Sequence, residues 1–329
     1  MARKKSKKKS KALRNIIITA VLLAVLFILL CIVSPKESER IESGGRIENL
    51  ELPAAIPGEQ IVTHTGYTLS YNEEYEVPSY VAYELTRNEV LGGGEREDSF
   101  KADPAIRTGS ATLADYKGSG YDRGHMAPAA DFKWSAEAMS DTFYLSNMCP
   151  QAGAFNRGIW ADLEAAVRTM AYDNGSVYVV TGPVLTDGPY DTIGKNKVAV
   201  PKRFYKVVLD YSDPDIKAIG FVLPNEGSDR SLESFAMSVD DVEAITGIDF
   251  YPALPDDIES VLESGYDTSR WSFRSFVPTG ESAEAEYTPP SSSTESTIID
   301  TMLAVFYELK KAVFEYTGTE GIARQIGLI

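Results

Sequence analysis

The chain has 329 residues, 43% hydrophobic and 10% aromatic, the make-up of a globular protein with one or two domains. Its two cysteines, Cys31 and Cys149, exclude a CxxC metal site, and a disulfide between them is not expected. Eight of the 32 basic residues fall in residues 1–14, which hold no acid, so the net charge of −16 becomes −24 over the remainder. Such a body repels nucleic acid at long range, and any nucleic-acid function must rest on local basic patches.

After the basic tail of residues 1–14 comes an unbroken apolar run of 18 residues, 16–33. Its length suits a transmembrane helix, and the lysines ahead of it place the N-terminus on the cytoplasmic side with the domain outside. No A-x-A site follows, and Leu30 stands where a lipid-modified Cys31 would need a small residue, so an uncleaved anchor over 15–33 is expected. Residues 34–57 read as a polar tether and the main domain as 58–277. Within it, 63–71 and 81–86 have strand-like composition, and 91–97, with three glycines, reads as a loop. A short helix is expected over 135–139 and an alternating strand over 141–147. Trp160, Leu163, Val167 and Met170 stand at helical spacing, which predicts a helix from about 158 to 172. Strands follow at 176–181, 203–211 and 218–223. This order is mixed α+β without regular βαβ alternation. Residues 278–296 form a Pro/Ser/Glu linker. Ile299, Met302, Phe306, Leu309, Val313 and Tyr316 mark an amphipathic helix over 297–329, suited to docking on the domain or a membrane or to homo-oligomer formation.

The chain has only two histidines, so imidazole chemistry falls to His125 or His64. His64 lies in a strand-like stretch and reads as structural. His125 closes the segment Tyr121-Asp122-Arg123-Gly124-His125, with Asn147, Asn156 and Glu164 downstream. One base, one neutral ligand for a hard metal, and fixed cations suit the cleavage of a phosphodiester. A histidine of ordinary pKa, about 6.5, is mostly neutral at pH 7 and can take a proton from water. Mg²⁺ keeps several waters and needs only one or two protein ligands.

The segments YDRGHMAPAADF, YLSNMCPQ, FNRGIWADLE, VVTGPVL and FVLPN, in this order and spacing, resemble the DNA/RNA non-specific endonucleases, ββα-metal (His-Me finger) enzymes, in their endonuclease G-like branch. The resemblance covers roughly residues 60–255. It implies a ββα-metal core on a mainly antiparallel sheet flanked by helices, and Mg²⁺-dependent cleavage of DNA and RNA, with Mn²⁺ an alternative metal. It implies His125 as general base, Asn156 as the single protein ligand of the metal, Glu164 acting through water, and Asn147 orienting metal shell or substrate. Arg123 and Arg96 would face phosphate, with Arg87 the nearby alternative to Arg96. Glu164 lies eight residues beyond Asn156, a rise of about 12 Å on a straight helix, so both can serve one ion only if Asn156 precedes the regular helix.

Lys195, Lys197, Lys202, Arg203 and Lys206, with Lys101, Lys117, Arg123, Lys133 and Arg157, are expected to form a basic cleft. Asp122, Trp134 and Trp160 read as structural. Two other readings stand beside the nuclease: a surface nucleic-acid-binding or adhesion module with little or no catalysis, and a toxin-like nuclease held by an inhibitor.

Overall fold

The structure, a computed structural model, describes residues 45–96 and 98–276. Eleven strands are described: β1 (Gln60–Thr63), β2 (Thr68–Asn72), β3 (Val77–Thr86), β4 (Asp122–His125), β5 (Met148–Gln151), β6 (Ser176–Pro183), β7 (Thr192–Ile193), β8 (Val198–Ala199), β9 (Arg203–Asp210), β10 (Lys217–Pro224) and β11 (Ala236–Met237). The α-helices are α1 (Arg87–Val90), α2 (Leu113–Tyr116), α3 (Ala136–Asp141), α4 (Gly153–Asn156), α5 (Ile159–Asn174), α6 (Val239–Thr246) and α7 (Asp256–Glu263). Seven strands form one sheet in the order β1-β2-β3-β6-β9-β10-β11, and its named pairings are antiparallel. β4 and β5 form a separate two-stranded ribbon. The α+β class and the mainly antiparallel sheet expected from the sequence are both present.

The sheet is covered on both faces, which explains why β6, β9 and β10 are buried almost end to end rather than alternating with polar residues. Alternation sorts their side chains instead into two cores. Val179, Phe204 and Val208 join the cluster that holds α5 and the β4–β5 ribbon. Tyr178, Val180, Tyr205, Val207 and Leu209 join the cluster that holds Val239 and Val242 of α6 and Leu262 of α7. Trp160, Leu163, Val167 and Met170 are all buried on one side of α5, as their spacing predicts. Each such aliphatic side chain contributes roughly 1.5–3 kcal/mol on burial.

Three local expectations are corrected. The single strand expected over 63–71 is a hairpin, because the chain turns at Thr65-Gly66 and His64 N–H bonds back to the Tyr67 carbonyl at 2.8 Å. Gly66 is required there: a Cβ would lie 2.6 Å from the Phe132 ring. The strand expected over 141–147 is the end of α3 followed by a 3₁₀ turn, Leu145–Asn147. Its alternating pattern arises because Phe143 and Leu145 both reach the interior from a bend, with one isolated bridge pairing Tyr144 with Lys101. The tether expected over 34–57 does not remain open through its last residues. Leu50 is fully buried in the second core, and Ala54 N–H bonds to the Asp249 carbonyl at 2.9 Å.

Among the described residues no helix is long and apolar enough to cross a membrane. The anchor expected over 15–33, the linker over 278–296 and the helix over 297–329 lie outside the described residues.

Candidate active-site cleft

Two elements build the cleft. The first is the β4–β5 ribbon, in register Asp122↔Gln151 to His125↔Met148. Gly124 faces the Gln151 side chain so closely that a Cβ would lie 2.1 Å from it, so only glycine fits between Arg123 and His125. The second is the segment α4–α5. Asn225 fixes its start: the side-chain oxygen accepts from Ala152 N–H at 2.8 Å while the amide donates to the carbonyls of Pro150 and Pro201. The chain then breaks at Gly158, where a Cβ would lie 2.5 Å from the Ala154 carbonyl oxygen. Asn156 therefore sits in a one-turn helix ahead of α5, and the straight-helix separation from Glu164 does not apply.

Between these elements lies an open cleft of about 1270 Å³ lined by Arg96, Arg123, His125, Asn156, Arg157 and Glu164, among others. Five of the six expected site residues thus share one cleft. The sixth, Asn147, does not line it. Asn147 is fully buried, its oxygen accepting from Ala127 N–H at 2.9 Å and its amide donating to the carbonyls of Ala127 and Thr142. Its hydrogen-bonding is spent on backbone, and Met126 N–H bonds to its main-chain carbonyl as well, so it pins the chain immediately after His125 and bears on the cleft through that loop.

The His125 ring is held by packing. It stands edge-on to Phe143 with centroids 5.2 Å apart and lies 5.7 Å from Phe100. Its Nε2 is buried without a hydrogen-bond partner. Burial pushes its pKa down to about 3; Arg96 and Arg123 add to the effect and Asp98 opposes it. The ring is neutral at pH 7. Arg123 lies over the Phe100 ring, 4.0 Å from its centroid, and makes no ion pair among the described residues. Arg96 is brought in by the glycine loop, where Gly94 N–H bonds to the Lys133 carbonyl at 2.9 Å. It pairs with Asp98 at 2.8 Å in an exposed setting. Arg87, the alternative to it, bonds to the carbonyls of Tyr172 and Asp173.

Asp122 is a site residue that sequence reasoning set aside as structural. Its Oδ2 accepts from Asn156 Nδ2 at 3.1 Å and from Arg157 Nη1 at 2.5 Å. With the Asn156 amide nitrogen so engaged, its Oδ1 is the atom left to meet a cation. The signal was present in the sequence, since Asp122 heads the strand that ends in His125. Glu164 faces the cleft from α5, and burial raises its pKa against the pull of Lys206, Arg168 and Arg96, with Asp131 reinforcing the rise. Lys206 comes from β9 beneath it, nearly fully buried and donating to Thr181 Oγ1 at 2.5 Å.

The basic cleft is smaller than expected. Lys117, Arg123 and Arg157 line it, together with Arg96. Lys206 points into the protein, Lys202 and Arg203 are bound to Asp187, and Lys101 is bound to Ser140. Trp160 is core as expected, whereas Trp134 is 40% exposed. His64 is structural: its Nε2 lies 2.9 Å from Asp103.

A nuclease-type cleft on a ββα ribbon is what this geometry defines. The profile of the DNA/RNA non-specific endonucleases matches residues 48–257, and the chain belongs to that family. It is 38% identical over 236 residues to mitochondrial nuclease EXOG of Danio rerio, covering 66% of this chain and 69% of that protein. It is 37% identical to human mitochondrial endonuclease G (60% and 71%) and 42% identical to nuclease C1 of Cunninghamella echinulata (57% and 81%). The match to the mouse and Xenopus laevis EXOG proteins spans 61% and 66% of their lengths. The crystal structure of an EndoG/EndoGI complex superposes with a TM-score of 0.57 at 36% identity, covering 61% of this chain and 89% of that one.

Proposed function

We propose that the chain is an endonuclease that hydrolyses phosphodiester bonds in DNA and RNA without strong sequence preference. The observation that carries this reading is a neutral, partly buried imidazole sharing one cleft with an asparagine oxygen and three unshared or exposed guanidinium groups. His125 takes the proton from water as it attacks phosphorus. A positioned base contributes typically about 10²–10⁴ in rate. The charge of a bound phosphate beside the ring opposes Arg96 and Arg123 and strengthens the base when substrate is present. Arg123 and Arg96 meet the charge that builds on the non-bridging oxygens. Asn156, oriented by Asp122, would hold Mg²⁺ or Mn²⁺, which when bound neutralises phosphate charge and stabilises the leaving oxygen. The donor set fits such an ion: one neutral oxygen, a carboxylate behind it, and Glu164 within the same cleft. The neutral ligand leaves the ion's full charge to the phosphate and makes binding weak without substrate.

The cleft is open and large enough for a chain, and its cations are arginines and a lysine suited to phosphate rather than to base edges, which favours cutting without sequence preference. The apolar segment 16–33 behind a basic tail supports a single-pass anchor with the domain outside the cell, where it is separated from the cell's own nucleic acid.

The test is cleavage of supercoiled plasmid and of RNA by the purified protein with Mg²⁺, with EDTA, and with His125→Ala and Asn156→Ala. Metal-dependent cleavage lost in both variants is expected. Folded wild type that binds DNA but never cuts it with Mg²⁺ or Mn²⁺ replaces the enzyme by a binding module.

A further inference from the structure

On the far face of the sheet from the cleft, residues 239–263 hold eight carboxylates and no lysine or arginine. Three of them converge. Asp240 and Glu243 stand three residues apart on α6 and so share a face. Glu263 is the last residue of α7. One carboxylate oxygen from each of the three lies within 4.8 Å of the others.

Clusters of acid on a surface are common, but Glu263 is not on the surface. It is 5% exposed, and its Oε1 is buried without any hydrogen-bond partner. No ion pair among the described residues involves Asp240, Glu243 or Glu263. A buried carboxylate oxygen beside two further carboxylates requires either a proton or a cation. Burial pushes the Glu263 carboxyl up to about 9, with Glu243, Glu259, Asp240 and Asp249 all adding to it. A proton on Oε1 serves that one oxygen, whereas a cation meets all three carboxylates at once.

The neighbouring groups are arranged as ligands. Phe250 N–H donates to Glu243 Oε1 at 2.7 Å, which fixes that carboxylate and leaves its second oxygen for the cluster. Asp240 is exposed, so an ion can reach the site and keep waters on that side. Ca²⁺ takes 6–8 oxygens at about 2.3–2.6 Å in flexible geometry, and opposite ligands around it stand about 5 Å apart. Three carboxylates, mono- or bidentate, with solvent completing the shell, meet that demand. We propose that Asp240, Glu243 and Glu263 form a divalent-cation site of the Ca²⁺ class that ties the end of α7 to α6, separate from the metal of the cleft.

The test is the thermal midpoint of the full chain, stripped with EDTA and titrated with Ca²⁺ or Mg²⁺. The variants are Asn156→Ala, Glu263→Gln and Asp240→Asn. Ca²⁺ should raise the midpoint of wild type and of Asn156→Ala by several degrees, which separates the effect from the cleft, and leave Glu263→Gln and Asp240→Asn unmoved. Asp240 is exposed, so its variant decides the matter should Glu263→Gln fail to fold. A wild-type midpoint indifferent to Ca²⁺, a shift that survives in Asp240→Asn, or a response to Mg²⁺ alone overturns the proposal.

Discussion

Replacing His125 with glutamine should change how stability depends on pH, independently of any loss of activity. An unfolded histidine titrates at about 6.5, whereas burial and two arginines hold the folded ring near 3. The folded pKa is depressed, so as pH falls the unfolded chain binds the proton first. The cost is absent above about pH 6.5 and grows as pH falls towards about 3, because stability drops wherever the unfolded state binds more protons. Integrated from about pH 7 to about pH 4.5, one such group removes about 2.5 kcal/mol. The carboxylates titrate alike in wild type and variant, so they cancel in the difference. Urea unfolding followed by tryptophan fluorescence at the two pH values measures it. Wild type should lose about 2.5 kcal/mol more than His125→Gln across that interval. Parallel losses, within about 0.5 kcal/mol, would refute the argument that burial and the two arginines hold the ring neutral, since a well-solvated histidine titrates near its ordinary value. The same enclosure has a kinetic counterpart. Bound phosphate raises the pKa of the ring, so the acid limb of kcat should lie above that of kcat/KM.

Asp122→Ala frees the Asn156 amide to rotate, and metal demand should rise, with cleavage at limiting Mg²⁺ falling about 10–100-fold; an unchanged half-saturating Mg²⁺ concentration would count against the orienting role. Asn147→Ala strands three buried backbone groups, which costs on the order of 3 kcal/mol in urea unfolding, while the folded fraction should keep its rate. A large rate loss in fully folded Asn147→Ala would give it a part in the chemistry beyond holding the loop. Arg157→Ala should lower the slope of log binding against log salt by about 1. Lys202→Ala should leave that slope alone, because Lys202 is committed to the Asp187 carbonyl outside the cleft.

What the sequence made legible was chemistry set by short, ordered segments. His125, Asn156, Glu164, Arg123 and Arg96 come together because a four-residue strand, a one-turn helix and a glycine loop each carry their own local instructions: Gly124 under Gln151, Gly158 against Ala154, and Gly94 against Lys133. What stayed hidden depended on partners distant in sequence. Asn147 reads as a site residue, but that its amide is held between Ala127 and Thr142 behind His125 shows only in the fold. Lys206 looks like part of a basic strand face, but its register against Thr181 turns it inward beneath Glu164. Strand period tells which residues share a face, not which face is wet, and in a sheet covered on both sides neither is. The apolar alternation of Phe143 and Leu145 misled for the same reason: a bend can deliver two side chains to the core as well as a strand can.

The charge of the protein, which argues against nucleic-acid binding when summed, is sorted by the sheet. The layer formed by α6 and α7 carries carboxylates without a single lysine or arginine between residues 239 and 263. The layer on the other face carries the cleft, where Arg96, Lys117, Arg123 and Arg157 outnumber the carboxylates of Asp98, Asp122 and Glu164. Asp98 and Asp122 are themselves engaged by Arg96 and Arg157, and burial favours the protonated form of Glu164. Acid interactions fall off within about 8 Å at physiological salt, so the far layer does not cancel the cleft at contact distance. It does oppose approach from the wrong side. A polyanion is repelled from one face and met by arginines on the other, which turns an unfavourable net charge into a bias on orientation. A cation bound at Asp240, Glu243 and Glu263 would soften that bias as it ties the helices together.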